Sequence, residues 1–318
     1  MAKNYRAIMP NKNLRTTSAP MEIQIKTASR SNIFIILIAA TILCSSALAQ
    51  TGGYQGGGAA RAQKATPNID GWGNNLPIDR STAPASPRDI SGIWDPGPRG
   101  VQQLGAGAMP EDGKPEHQIP YTPLGLETLK LTQPSNGVRS VLPADSNDPA
   151  WHCDPQGLPR EELFELRTTQ IYQMPEKILL LYEYGKVWRV IWTDGRELPK
   201  NPEPRWFGYS VGKWEDDYTL VVQSTGMDER TWIDRAGRPH SSDLRVEERF
   251  HRVDRDHLDL TVTINDPKMY TKPWVALDKL RFNSEPSNFD VREMMCSPSE
   301  LTEYDKLMGN PASGKDSR

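Results

Sequence analysis

Residues 170–199 read QIYQMPEKILLLYEYGKVWRVIWTDGRELP, and this stretch decides the fold. Ile178 to Glu183 is an apolar run too short for a solitary helix, Gly185 interrupts it, and Lys186 to Thr193 resumes with Val, Trp and Ile. Asp194-Gly195 ends the second run with two residues that tolerate the positive φ of a type I′ turn. The whole predicts two β-hairpins written back to back.

Downstream the same grammar continues. Trp206 to Val211 and Lys213 to Trp214 read as a strand pair broken at Gly212, and Glu215-Asp216-Asp217 turns into Tyr218 to Ser224. Leu244 to Val253, His257 to Ile264 and Ala276 to Asn283 complete the series. Upstream, DISGIW (89–94) opens with a short strand whose Gly-x-Trp is similar to the first strand of lipocalin-like barrels. About nine short strands with polar turns and hardly any helix predict a single antiparallel barrel or sandwich. Between Pro96 and Pro159, Pro and Gly recur every few residues, and only Leu124 to Leu131, after Thr122-Pro123, has room for helical turns. This long irregular segment must lie over something; WHCDPQGLPR (151–160) ends it with a cysteine in a tight turn.

The beginning of the chain is an address rather than fold. Arg30 precedes an uncharged apolar run from Ile33 to Leu43, and Ala47-Leu48-Ala49 follows with small residues where a signal peptidase reads. A secretory signal over residues 1–49 is expected, with Met21 as an alternative start that would make residues 1–20 a mis-called extension. The run is too short to span a bilayer comfortably, and Leu43 is too bulky for a lipobox before Cys44. Residues 50–87, rich in Gly, Ala, Pro, Gln and Ser, read as a disordered spacer. The barrel is expected over 88–300, with a C-terminal tail over 301–318.

Removing residues 1–49 leaves 32 basic residues against 40 acidic ones, a net charge near −8. So acidic a chain has no basic footprint for nucleic acid and no attraction to an anionic membrane surface. The implied location is secreted or periplasmic, with no stable membrane insertion after signal cleavage. Cys153 and Cys296 are then the remaining cysteines, and in an oxidising compartment the pair reads as a disulfide, the alternative being two buried thiols.

WTDGRELP (192–199), GYSVGKWEDDYTLVV (208–222), HSSDLRVEERF (240–250) and DPKMYTKPW (266–274) resemble, in this order, motifs of a large family of secreted bacterial proteins of unassigned function. The likeness covers roughly Asp89 to Pro298. It implies a lipocalin-like β-barrel and a secreted address, and brings no activity and no catalytic residues.

Alternation decides which side chains share a face of a strand. Leu179 and Leu181 place Glu183 on their side, Val187 and Ile191 place Arg189 on theirs, and Leu244, Val246 and Phe250 place Glu248 on theirs. A charge on an inward face is costly unless paired, so Glu183, Arg189 and Glu248 form a candidate site; the alternative turns Trp188, Val190 and Trp192 inward and leaves Arg189 in solvent. His240 with Asp243 offers a general base and its orienter in a turn composition. The five histidines show no pair at ligating spacing, and only His152, Cys153 and Asp154 come near a metal set. No nucleophile elbow, phosphate loop or dinucleotide fingerprint is present, so neither a metal nor a cofactor is expected.

The tryptophans concentrate in the β-rich part, and Trp188, Trp192, Trp206, Tyr209 and Trp214 are the expected lining of a cavity for a small, partly apolar molecule anchored on Arg189. The competing readings are a cofactor-free acid/base enzyme (lyase, isomerase or hydrolase) using Glu183, Glu248 or His240, and a structural envelope protein. The inside of the barrel separates them: an apolar cavity favours binding, converging carboxylates and Arg favour catalysis, and a filled interior favours structure.

Overall fold

Nine strands close on one another in chain order in the computed structural model: β1 (Gly92–Asp95), β2 (Thr169–Gln173), β3 (Lys177–Tyr182), β4 (Trp188–Trp192), β5 (Tyr209–Trp214), β6 (Thr219–Thr225), β7 (Arg245–Arg252), β8 (His257–Asn265) and β9 (Trp274–Glu285). The structure describes residues 72–73, 83–97, 109–110, 112–164 and 166–312, all within the unit Ala62–Arg318. The expected signal segment, Cys44 and most of the expected spacer lie outside the described residues.

Gly185 (φ 70) and Lys186 (φ 50) make the β3–β4 turn with two consecutive positive φ values, the requirement of a primed hairpin turn. Asp194-Gly195 does not make a hairpin. Gly195 adopts φ 86, but Pro199, Pro202 and Pro204 follow it. Having no N–H to donate, they deny the chain a ladder back along β4. The chain crosses over instead and β5 joins β4 in parallel, with Ile191 opposite Ser210 and Trp192 opposite Val211. The barrel is therefore mixed rather than wholly antiparallel, and this two-residue register is its narrowest seam.

Gly212 does not break β5 either. The strand runs straight through it, paired with Val222, because a Cβ there would stand 2.9 Å from Ile191 Cγ2. Glycine is what lets β4 and β5 approach.

Inside, Ile171, Ile178, Leu180, Ile191, Leu220, Val222, Phe250, Leu260 and Val262 make one apolar core with Trp94 and Leu163. A void among the described interior residues measures about 10 Å³, room for a single water.

The irregular segment covers one end. Its helix α1 (Pro123–Leu131) starts at Thr122, whose Oγ1 accepts from Gly125 N, and Tyr121 bridges to Tyr270. A second short helix, α2 (Arg160–Leu163), has all four residues buried. After β9 the chain returns across the β3–β4 turn, where Tyr184 bridges to Met294 and Lys186 Nζ donates to Val291 O. Cys296 is bonded to Cys153 there, and α3 (Pro298–Tyr304) follows.

Candidate functional site

Two polar features meet at α2, one sealed in the barrel and one open to solvent. Sealed inside, Arg189 of β4 donates through Nη1 to Glu248 Oε1 of β7 at 2.7 Å, and through Nη2 to Glu248 Oε2. Its Nε and Nη2 also donate to Ser210 Oγ of β5 at 3.1 and 2.9 Å, and Nη2 reaches Ser224 Oγ of β6 at 2.9 Å. One guanidinium thus ties four consecutive strands together across the seam where the backbone ladder is shortest. From α2, Glu162 brings a second carboxyl, whose Oε1 accepts from Arg189 Nη1 at 3.2 Å and from the Tyr182 hydroxyl at 2.7 Å.

The electrostatics follow from the count of charges in a dry space. Burial, and then the charge of Glu248, push the Glu162 carboxyl well above the usual carboxylate range. Burial opposes the charge on Arg189, but Glu248, with Tyr182 and Glu162, more than offsets it and the guanidinium is held protonated. The side chains of Arg189, Glu162 and Glu248 are each at most 1% exposed, so no substrate reaches them. The cluster is a structural tie.

The open feature lies on the other side of α2. Glu161, the neighbour of Glu162 on the helix, faces a cavity of about 380 Å³ at the barrel end, beneath the Cys153–Cys296 disulfide. Met294, Met295, Val187 and the Tyr184 ring give it an apolar wall; Gln156 and Asp154 give it a polar one. Burial raises the Glu161 carboxyl to about 8, against a smaller opposing effect of Arg160. Arg160 does not neutralise it, because both its terminal nitrogens donate to Asp148, at 2.8 and 2.7 Å. Gln156 is itself buried, and its Oε1 has no hydrogen-bond partner. The arrangement can hold a proton near neutral pH.

Larger concavities lie on the outer surface. A groove of about 880 Å³ runs along β5 and β6 past Trp214 and Lys213. Its arginines are committed, Arg88 to Asp217 and Arg196 to Asp194. Another of about 390 Å³ lies on the outer side of β2–β4 beside Trp188. The first brings no buried titratable group to its floor, and the second brings Tyr182, whose hydroxyl is committed to Glu162.

The expected site residues divide. Arg189 and Glu248 come together as their strand periods require. Glu183 does not join them: Ile178, Leu180 and Tyr182 face inward on β3, so Leu179, Leu181 and Glu183 belong to the other side. Glu183 is buried beyond the strand end, where its N–H donates to Thr168 O at 3.0 Å. His240 is buried rather than exposed in a turn; Nε2 stands 2.8 Å from Thr231 Oγ1 and Nδ1 3.2 Å from Ser241 O, and burial lowers its pKa. Asp243 pairs with Lys268 instead of orienting it.

The aromatics that line the lumen are Trp94, Tyr182, Phe250 and Phe282, not the expected set. Trp188 is 64% exposed, and Trp192 lies outside under Arg196 at 3.5 Å. Trp206 and Tyr209 are stacked under Arg230 and Arg205 at 4.3 Å each, and Trp214 lines the outer groove. The reason is the facing of β4: with Arg189 and Ile191 inward, Trp188 and Trp192 must point out.

Glu161, Glu162 and Arg160 escaped the periodicity argument, since REEL reads as a solvated helix start; three charges ahead of Leu163-Phe164 in a Pro-rich lid are the only local signal. Among the described residues no group of three His, Cys, Asp or Glu side chains is arranged to hold a metal ion. No family model, curated protein or solved structure matches the chain.

Proposed function

We propose that this protein binds a small, partly apolar molecule, and that the molecule sits in the cavity beside α2 rather than in the barrel lumen. The observation that carries this is the cavity itself: about 380 Å³, with one buried acid, one buried amide and an apolar wall of Met, Val and Tyr side chains. That size and mixture are those of small-ligand sites in general. The void described among the interior side chains has room for no more than a water, which supports a site outside the lumen. So small a void also favours a purely structural role, and that is the second reading.

The same proposal includes a secreted or periplasmic address, supported by the leader composition and in keeping with a disulfide. It includes kinship with the secreted lipocalin-like family, supported by the four motifs. Those motifs lie at structurally connected places: Ser210 and Glu248 both bond Arg189, and Ser241 Oγ donates to Asp266 Oδ1 at 2.8 Å.

Ligand-observed magnetic resonance with a library of small apolar fragments tests the binding reading. Fragments are expected to bind the wild-type protein and to lose binding in Ala150→Phe, which fills the cavity from its rim. A protein that binds none, or binds them equally in Ala150→Phe, is structural or binds elsewhere.

A further inference from the structure

After β9 the chain runs back over the barrel as a strap, residues 286–297, before α3 begins. Not one of these residues, all of them described, is buried, and the apolar core takes its last member in chain order from Phe282. A segment that buries no side chain gains little from the hydrophobic effect and can detach without disturbing the core. Two concave spaces separate it from the barrel, and both reach the β3–β4 turn. Phe289, Asp290 and Val291 wall the one of about 390 Å³ beside Trp188, and Met294, Met295 and Cys296 wall the one of about 380 Å³ beside α2.

The Tyr184–Met294 bridge and the hydrogen bond from Lys186 Nζ to Val291 O fasten the strap to that turn. Lys186 is exposed, so its bond competes with water and contributes little. The strong tie is covalent, the Cys153–Cys296 bond.

That bond is open to attack. Cys296 is exposed, Cys153 is half-buried, and both line the cavity of about 380 Å³. Neither lies within a helix or a strand: Cys153 is the left-handed residue (φ 60) that closes the turn Pro149–His152, and Cys296 stands between the Tyr184–Met294 bridge and α3. A disulfide that a thiolate can approach in the folded state exchanges without unfolding, whereas one sealed in a core does not.

We propose that Cys153–Cys296 is a site of thiol–disulfide exchange with an external dithiol, and that its reduction releases the strap and opens both concavities. This goes beyond the binding reading and does not depend on a guest.

One thiolate of the dithiol attacks Sγ of Cys296, the exposed cysteine. The S–S bond breaks, and its electron pair leaves on Cys153 Sγ, which takes up the proton that the attacking thiol gave up. The second thiol of the reagent, deprotonated in turn, attacks the reagent's own sulfur in the mixed disulfide, and Cys296 leaves as a thiolate and is protonated. The protein gains two electrons and two protons, and the dithiol loses them as it closes into a ring disulfide. Because α3, which begins just after Cys296, lies against Pro149–His152, the freed thiols stay within reach of each other and an oxidant closes the bond again.

The experiment uses the full chain in a Cys44→Ser background, held without denaturant in millimolar dithiothreitol. Alkylation is followed by mass, and limited trypsin digestion is read at Arg292, the basic residue of the strap. Both cysteines are expected to become alkylated while far-ultraviolet circular dichroism stays that of the barrel, and the reduced protein to be cut after Arg292 at least tenfold faster than the oxidised one. Oxidised dithiothreitol should restore the protection. Cys153→Ser/Cys296→Ser, which cannot form the bond, should be cut as fast as the reduced protein with or without the reagent, which separates opening from damage by the reagent. A bond that survives until denaturant unfolds the barrel overturns the exchange and makes the disulfide structural. A bond reduced in the folded protein with Arg292 still protected overturns the release of the strap. Fragment binding, tested by Ala150→Phe, stands or fails separately.

Discussion

Arg189 and Glu248, 59 residues apart in the chain and on strands β4 and β7, meet inside the barrel through two hydrogen bonds, one from each terminal nitrogen of the guanidinium. A buried pair of this kind is worth little against a well-packed apolar replacement, but breaking it by removing one partner leaves a charge without compensation. Arg189→Met is expected to destabilise the fold by about 3–5 kcal/mol. The double variant Arg189→Met/Glu248→Met should lose less than the single one, because the stranded carboxylate goes with it. Denaturant melts of the three proteins measure this, and a double variant that falls further than Arg189→Met means the pair contributes mainly shape.

Glu161 makes stability depend on pH in the sense opposite to an ordinary ion-paired carboxylate. Its pKa is raised from 4.5 unfolded to about 8 folded, so between those values the folded state holds a proton that the unfolded chain has released. Stability therefore falls as pH rises from about 4.5 toward 8 and levels off above, by an amount on the order of a few kcal/mol. Glu162, raised for the same first cause, acts in the same direction. Urea melts at pH 5 and pH 8.5 should show the wild type less stable at the higher pH and Glu161→Gln with a shallower dependence. Equal slopes in both proteins would place Glu161 in water.

The Cys153–Cys296 bond spans 143 residues and holds the returning C-terminal segment against the β3–β4 turn. Closing so long a loop stabilises by up to roughly 5 kcal/mol in the chain-entropy description. In a Cys44→Ser background, thiol titration of the unreduced, denatured protein should find essentially no free sulfhydryl. Cys153→Ser should in addition expose residues 286–297 to limited proteolysis while far-ultraviolet circular dichroism stays that of the barrel. Two titratable thiols in the first measurement would be incompatible with the bond.

Gly212 marks the closest approach of β4 and β5. A side chain there meets Ile191 Cγ2, Leu220 Cδ1 and Thr193 Cγ2 within 3.4 Å, so Gly212→Val overpacks the two-residue parallel seam and should cost about 1–3 kcal/mol. Lys213→Ala, the adjacent exposed position, should stay within about 0.5 kcal/mol of wild type. Similar melting curves for the two variants would mean that the seam has room to give.

The strand count, the inward facing of Arg189 and Glu248, the helix after Thr122-Pro123 and the Cys153–Cys296 bond were all legible in the sequence. Their causes are local: a period of two, a capping residue, and a pair of cysteines left to one another. What the local signal did not carry was partner choice. Asp194-Gly195 has the composition of a hairpin, and the prolines after it decide only that the chain leaves β4, not that it returns in parallel. On β3, the five consecutive apolar residues Ile178 to Tyr182 hide which set faces in, so Glu183 could be assigned to a face but not to the correct one.

The sequence by itself determined a series of short β-strands and a short list of charged residues, Arg189, Glu183 and Glu248, that could share an inward face, because both follow from alternation along strands a few residues long. The tertiary structure alone decided where the chemistry lies. A four-residue charged helix is ordinary surface until a barrel end closes around it, and that burial, which no residue of REEL encodes, both seals Glu162 onto Arg189 and leaves Glu161 holding a proton at the edge of a cavity.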